Sequence, residues 1–163
     1  MDSIKIKGQI TISIVDAKTK EIKEIHYFEN IITTLGLKMH RNWVAGVVPL
    51  SDSNFNVDTR ITHIAVGSGN STPAKTQLAL DTELLRKAIY PTPDANCGIT
   101  LESDDTAVFT MLISESEING STIKEIGLFS ASHTAFMVSR FLCGSIAKSS
   151  AVQIVINYKV KYQ

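Results

Sequence analysis

Both ends of this chain alternate apolar and polar residues at period two, and few other features restrict a fold as tightly. Near the start, Ile4, Ile6, Ile10, Ile12 and Ile14 fall on one side of an extended chain. At the far end Val152, Ile154, Ile156, Tyr158, Val160 and Tyr162 do the same, with Gln153, Asn157, Lys159 and Lys161 opposite them and Val155 as the exception. A helix turns by 3.6 residues and would scatter such residues around its circumference. A strand places them on one face, so both segments (4–15 and 151–162) are predicted to be half-buried strands.

The chain between them carries strand and turn signals in quick succession. Asp16-Ala17-Lys18-Thr19-Lys20 is a polar turn, and residues 21–29 are strand-like again, which gives an N-terminal β-hairpin. From Asn30 the period changes, and a short amphipathic helix is expected over residues 32–46, capped by Thr33 or Thr34. Residues 47–59 read as a loop. A strand at 61–66 runs into the turn Gly67-Ser68-Gly69-Asn70-Ser71-Thr72-Pro73. Leu80, Leu84, Leu85 and Ile89 have helical spacing, so a second short helix is expected over 78–89, broken by Pro91-Thr92-Pro93-Asp94. Strands are then predicted at 99–102, 106–115, 122–129, 135–142 and 151–162, with Asn119-Gly120 as a turn. The expected class is mainly β: an antiparallel β-sandwich-like domain with an N-terminal hairpin and one or two short helices. The hairpin and helix would occupy 1–46, a connecting loop 47–60 and the sandwich 61–163, unless all three form one continuous domain.

Lys plus Arg and Asp plus Glu are equal at 16 each among 163 residues. A chain without net charge lacks the positive field of a nucleic-acid binder, and it repels copies of itself only weakly. The lysines near the first hairpin (Lys5, Lys7, Lys18, Lys20, Lys23) are offset by Asp16, Glu21 and Glu24, as on a solvated edge. Cys97 and Cys143 stand in unrelated surroundings and read as free thiols. The first residues lack the pattern of a signal peptide, and no apolar stretch reaches the ~18 residues of a membrane span. The expectation is synthesis and assembly in a cytoplasm, with no membrane insertion.

Reactive constellations are not evident. His26, His40, His63 and His133 belong to no local catalytic pattern, and no Gly-X-Ser-X-Gly elbow occurs. Metal-ligand spacings fail as well, and the acidic pairs Asp104-Asp105 and Glu115/Glu117 read as solvated turns. Gly67-Ser68-Gly69 lacks the third glycine of a dinucleotide loop and the Gly-Lys-Ser/Thr of a P-loop. No catalytic, cofactor or metal residues are therefore expected. In 122–129, Ile126 and Leu128 share one face while Glu125, Gly127 and Phe129 share the other. Gly127, set between large apolar neighbours, lets a backbone or ring approach closely. Glu125, if buried, needs a cation, and Arg86 or Arg140 could supply one through two parallel hydrogen bonds; an exposed, unpaired Glu125 is the alternative.

The order of several blocks resembles a family of tailed-bacteriophage virion proteins of the tail fibre, tail collar and baseplate type. The blocks are Ile61-Thr62-His63-Ile64-Ala65-Val66-Gly67-Ser68-Gly69-Asn70-Ser71-Thr72-Pro73-Ala74, then Leu80 to Arg86 with Glu83, then Thr122-Ile123-Lys124-Glu125-Ile126-Gly127-Leu128-Phe129, Met137-Val138-Ser139-Arg140 and Lys148. The front half is similar to phage tail proteins in which a hairpin leads to Asn30-Ile31-Ile32-Thr33 and a Gly36-Leu37 helix. The resemblance implies a structural virion protein without catalytic residues, with Gly67, Gly69, Arg86, Glu125, Gly127 and Arg140 as motif positions. It implies other phage tail structural proteins as partners and a homo-oligomer, a trimer first and a sixfold ring otherwise. A carbohydrate- or receptor-binding β-module of the tail is the competing reading. A small cell-wall hydrolase is a third, which the scattered carboxylates do not support. The two terminal strands are expected to offer unpaired edges for assembly.

Overall fold

A computed structural model describes residues 6–44, 50–52, 55–57, 60–89, 96–130 and 137–162. The elements in order are β1 (Ile6–Asp16), β2 (Ile22–Glu29), β3 (Ile31–Ile32), α1 (Thr34–Val44), β4 (Leu50–Asp52), β5 (Phe55–Val57), β6 (His63–Gly67), β7 (Glu83–Ala88), β8 (Cys97–Ser103), β9 (Thr106–Ile113), β10 (Thr122–Phe129), β11 (Met137–Ala147) and β12 (Val152–Tyr162). One sheet has the order β2-β1-β12-β9-β8 and a second the order β3-β11-β10-β6-β7, with every pairing antiparallel. The protein is a β-sandwich with one short helix among the described residues.

The alternation seen in the sequence produces the core. Ile10 and Ile12 of β1, Met111 and Ile113 of β9, and Ile154, Ile156 and Tyr158 of β12 are buried on the inner face of the first sheet. They form one cluster with Ile64, Val66, Ile126, Leu128 and Phe141 of the second sheet. Each such side chain stabilises the fold by about 1.5–3 kcal/mol relative to exposure, before conformational entropy is subtracted.

The first turn and the helix form where expected. Asp16 Oδ1 accepts the backbone N–H groups of Lys18 (2.8 Å) and Thr19 (3.0 Å), and Lys20 takes a left-handed φ of 63°. Those bonds, after the stronger one from Lys23, hold the Asp16 carboxyl well below its usual range. Thr33 caps α1: its Oγ1 accepts the Gly36 N–H at 3.0 Å and shares its proton with the carbonyls of Met137 and Val138 at 2.8 and 2.9 Å. The cap thus also ties the helix start to β11. Met39 enters the core, while Leu37 is exposed. The side chain of Trp43 lies outside the described residues, as do His133, the prolines at 91 and 93 and the ends of the strands expected at 4–15 and 135–142.

Three expectations need correction. Residues 78–89 are not a helix: Glu83–Ala88 form β7, the edge strand beside β6. The span expected to be only loop, 47–59, contains the small antiparallel pair β4 and β5. The terminal strands are not free edges either. β1 and β12 pair with each other along their whole length, from Ile6 opposite Tyr162 to Asp16 opposite Val152, and both are interior strands. Period-two patterning assigns faces and leaves neighbours open. The first hairpin and the final strand consequently share one sheet.

Candidate functional site

The second sheet has an outer face built around a buried ion pair. β10 carries Glu125 there, and β11 carries Arg140, both essentially without solvent exposure. Arg140 Nε donates to Glu125 Oε2 at 2.9 Å. Three backbone amides complete the carboxylate's shell. Gly69 and Thr82 N–H donate to Oε1, each at 2.9 Å, and Asp81 N–H donates to Oε2 at 3.1 Å. The remaining arms of the guanidinium also reach the loop: Nη1 donates to Ser71 O and Gln77 Oε1, both at 3.0 Å, and Nη2 donates to Asp81 Oδ2 at 2.8 Å.

Residues 68–82, which join β6 to β7, are in this way fastened to the sheet at both ends. Asp81 strengthens the closure by accepting the Ser71 N–H (3.0 Å) and hydroxyl (2.5 Å). The bonds from Ser71, with Arg140 beside them, hold the Asp81 carboxyl below its ordinary value, and partial burial opposes them. Gln77 Oε1 also accepts the Ala74 N–H at 2.8 Å.

The glycines make this geometry possible. Gly67 stands directly opposite Glu125 in the β6–β10 ladder. A methyl group on Gly67 would lie 2.5 Å from Glu125 Oε1 and from Thr82 O, and one on Gly69 would lie 2.6 Å from the same carboxylate oxygen. The loop comes this close because no side chain intervenes. Gly127 lies one step along the same face, opposite Arg140, where the Phe129 ring and Leu80 close over it. Phe129, Leu80, Ala65 and Met137 form a second small apolar cluster on this outer face.

All six motif positions expected from the sequence therefore fall on this face or its border. Of the two arginines considered for Glu125, Arg140 is the partner. The expected fork of two parallel bonds is replaced by one direct bond, because the other nitrogens serve the loop. Arg86 makes a fork with Glu83 instead (2.9 and 2.6 Å) and lies over the Phe129 ring, 3.7 Å from its centre. Ser71, Gln77, Asp81 and Thr82 were not singled out in the sequence. A polar loop has no periodicity to mark which members turn inward.

The cluster is arranged to hold a loop, and its chemistry follows from that. Both carboxylate oxygens carry two donors each, which fills the usual acceptor capacity. Removing one partner of such a pair leaves a buried charge and typically costs about 3–5 kcal/mol. The ion pair alone is weak evidence of net stabilisation; the three amides and the loop it fixes give it its structural weight.

Other polar groups are placed separately. Between the sheets, Asn30 Nδ2 donates to Ser139 Oγ and Tyr158 OH, and burial raises the Tyr158 phenol above its ordinary range. Lys148 is buried under the Asn119-Gly120 turn, where its ammonium donates to Asn119 Oδ1 (2.9 Å) and Ser149 O (2.8 Å), and burial lowers its pKa. His63 is likewise lowered, first by burial and then by nearby Arg86. Cys97 and Cys143 are not joined in a disulfide, and burial pushes Cys143 up to about 12. Among the described residues no group of three or more His, Cys, Asp or Glu is placed to hold a metal ion, and no helix is long and apolar enough to cross a membrane. An apolar cavity of about 500 Å³ opens between the sheets, lined in part by Ile6, Met39, Ile99, Phe109, Leu128 and Val160. No family model, curated protein or solved structure matches this chain.

Proposed function

We propose that the protein is a structural component of a bacteriophage tail, a fibre-base, collar or baseplate adaptor that acts through protein–protein assembly. The observation that carries this reading is the convergence of the separate blocks behind the family resemblance. Gly67 and Gly69 from one block, Glu125 from another and Arg140 from a third meet in a single buried cluster. Asn30 and Thr33 of the front segment also act architecturally, one between the sheets and one as a helix cap tied to β11. These residues serve rigidity. On this reading the protein is made in the host cytoplasm, resides in the virion, associates with other tail proteins and forms a closed homo-oligomer, a trimer by the resemblance.

The test is quantitative mass spectrometry of purified particles together with immunogold labelling. A fixed number of several copies per particle, with label on the tail, is the expected result. Absence of the chain from particles would overturn the proposal. No hydrolytic activity is proposed, and turnover of peptidoglycan or polysaccharide abolished by one acidic substitution would contradict that.

One observation favours a second reading, a carbohydrate- or receptor-binding module. Tyr27 is 74% exposed on a sheet face that also carries Thr11, Ser13 and Asn157. An exposed ring beside hydroxyl and amide groups is a surface on which a sugar could stack. Binding to purified host surface glycan that is lost in Tyr27→Ala would favour this alternative.

A further inference from the structure

The edge of the first sheet at β2 carries exposed apolar side chains that the fold leaves unexplained. Among the described residues β2 pairs with β1 alone, and its other side is unpaired. Ile22, Ile25 and Tyr27 are 58%, 43% and 74% exposed. No proline interrupts the strand. An exposed apolar edge of this kind is a template for another strand.

The backbone specifies which residues are available. Asn30 N–H donates to Gly8 O on β1. In an antiparallel ladder the inward and outward groups alternate, so Ile25, Tyr27 and Glu29 direct their N–H and C=O groups away from β1. Residues 24–28 form a regular run opposite β1, with the irregularity confined to the position of Lys23.

We propose that β2 pairs with β2 of a second copy of this chain, antiparallel about a two-fold axis through His26, so that the two first sheets become one continuous sheet. In that register Ile25 of each copy lies opposite Tyr27 of the other, an aromatic and a β-branched side chain on the same face. Lys23 of each copy lies opposite Glu29 of the other, which gives two complementary charge pairs. Lys23 is already bound to Asp16 within its own chain at 2.7 Å, so the pairing extends an existing ionic group. Sliding the register by one step toward Ile25 would set Glu21 against Glu29 and Lys23 against Tyr27, losing both charge pairs. Zero net charge leaves no long-range repulsion to oppose the approach. The contact is two-fold, so alone it closes at two copies, and combined with a threefold axis it closes at six. It is read from this chain's own edge and does not depend on the tail assignment.

A single shared edge is small, and its dissociation constant is expected in the micromolar range or weaker, on the order of 1–100 µM. Sedimentation equilibrium of the full chain should show reversible dimers. On an Asp16→Asn background, which removes the carboxylate that Lys23 binds, Glu29→Lys should raise the dissociation constant about tenfold, and Lys23→Glu combined with Glu29→Lys should restore it to within about threefold. Circular dichroism of each variant verifies that it is folded. A second experiment tests the register. On a Cys97→Ser background, His26→Cys should form a reducible cross-linked dimer on mild oxidation, because the two introduced thiols face each other at the axis, whereas Leu101→Cys on the opposite sheet edge should not. Monomers throughout at ~1 mM, about tenfold above the weak end of the expected range, would overturn the proposal. So would dimers indifferent to Glu29→Lys, or a swapped pair that fails to restore affinity while remaining folded.

Discussion

The sandwich has two outer faces, and they solve the same problem differently. On the second sheet the face is roofed by residues 68–82, held by Glu125, Arg140 and Asp81 and packed with Phe129, Leu80 and Met137. On the first sheet Thr11, Ser13, Ile25, Tyr27, Thr110, Leu112, Val155 and Asn157 form the outer centre, and no charged side chain stands among them. Thr110 Oγ1 donates to Asn157 Oδ1 at 2.9 Å, a bond between neighbouring strands. The difference follows from the connections. β6 and β7 are joined through residues 68–82, long enough to fold back over the sheet, whereas β8 and β9 are joined through the tight turn at Asp104-Asp105. A long polar loop can lie on a sheet only if its inward-facing amides find acceptors, and Glu125 is that acceptor. One face is thus committed to the internal structure, and among the described residues the other carries no such roof.

The sharpest way to break this contrast is to remove the ion at the centre of the roofed face. Arg140→Ala leaves Glu125 buried without its cation, and a loss of about 3–5 kcal/mol is expected in urea unfolding. Replacing both members, Arg140→Met with Glu125→Leu, should cost less than the sum of the two single changes, because neither charge is then stranded. Gly67→Ala comes next. Its methyl group would collide with Glu125 Oε1 and Thr82 O, and a loss of about 1–3 kcal/mol is expected from the forced displacement.

A pH titration sharpens the same comparison with a smaller effect. The Asp81 carboxyl is held below its ordinary 3.8 in the folded chain. A depressed folded value contributes stability that is fully present above the unfolded pKa and disappears as pH falls through the folded one. The urea midpoint should therefore fall with acidification below about pH 4, and less steeply in Asp81→Asn. The least effect is expected on the open face. Tyr27→Ala should change the stability of the dilute, monomeric chain by no more than about 0.5 kcal/mol, since the ring is 74% exposed.

The sequence was informative where one rule decided the outcome. The apolar faces of β1 and β12, the Asp16 turn and the Thr33 cap were all legible, because each follows from spacing or local bonding. The segment 78–89 has a helical pattern yet contains a strand, for a physical reason. Glu83-Leu84-Leu85-Arg86-Lys87-Ala88 is composed of good helix formers, and even its Glu83–Arg86 pair has the i,i+3 spacing of a helix. Pairing with β6 overrides that local preference. Its leucines then serve different layers: Leu80 joins the outer cluster, while Leu84 and Leu85 pack against the inner core. At the site, Glu125 and its two possible arginines were visible, yet the choice of Arg140 depended on the strand order. The four loop residues that complete the cluster carry no signal in an isolated sequence, because their role is created by folding back over the sheet.

Amide hydrogen exchange followed by NMR tests, residue by residue, whether the 68–82 loop is fixed to the sheet through the Glu125 carboxylate. The N–H groups of Gly69, Asp81 and Thr82 are bonded to that carboxylate and should exchange at least about a hundredfold more slowly than an unstructured chain, with the protection lost in Glu125→Ala variants that remain folded. Exchange of these three amides at unprotected rates in the native protein, with the β10 and β11 ladder still protected, would show that the carboxylate does not hold the loop.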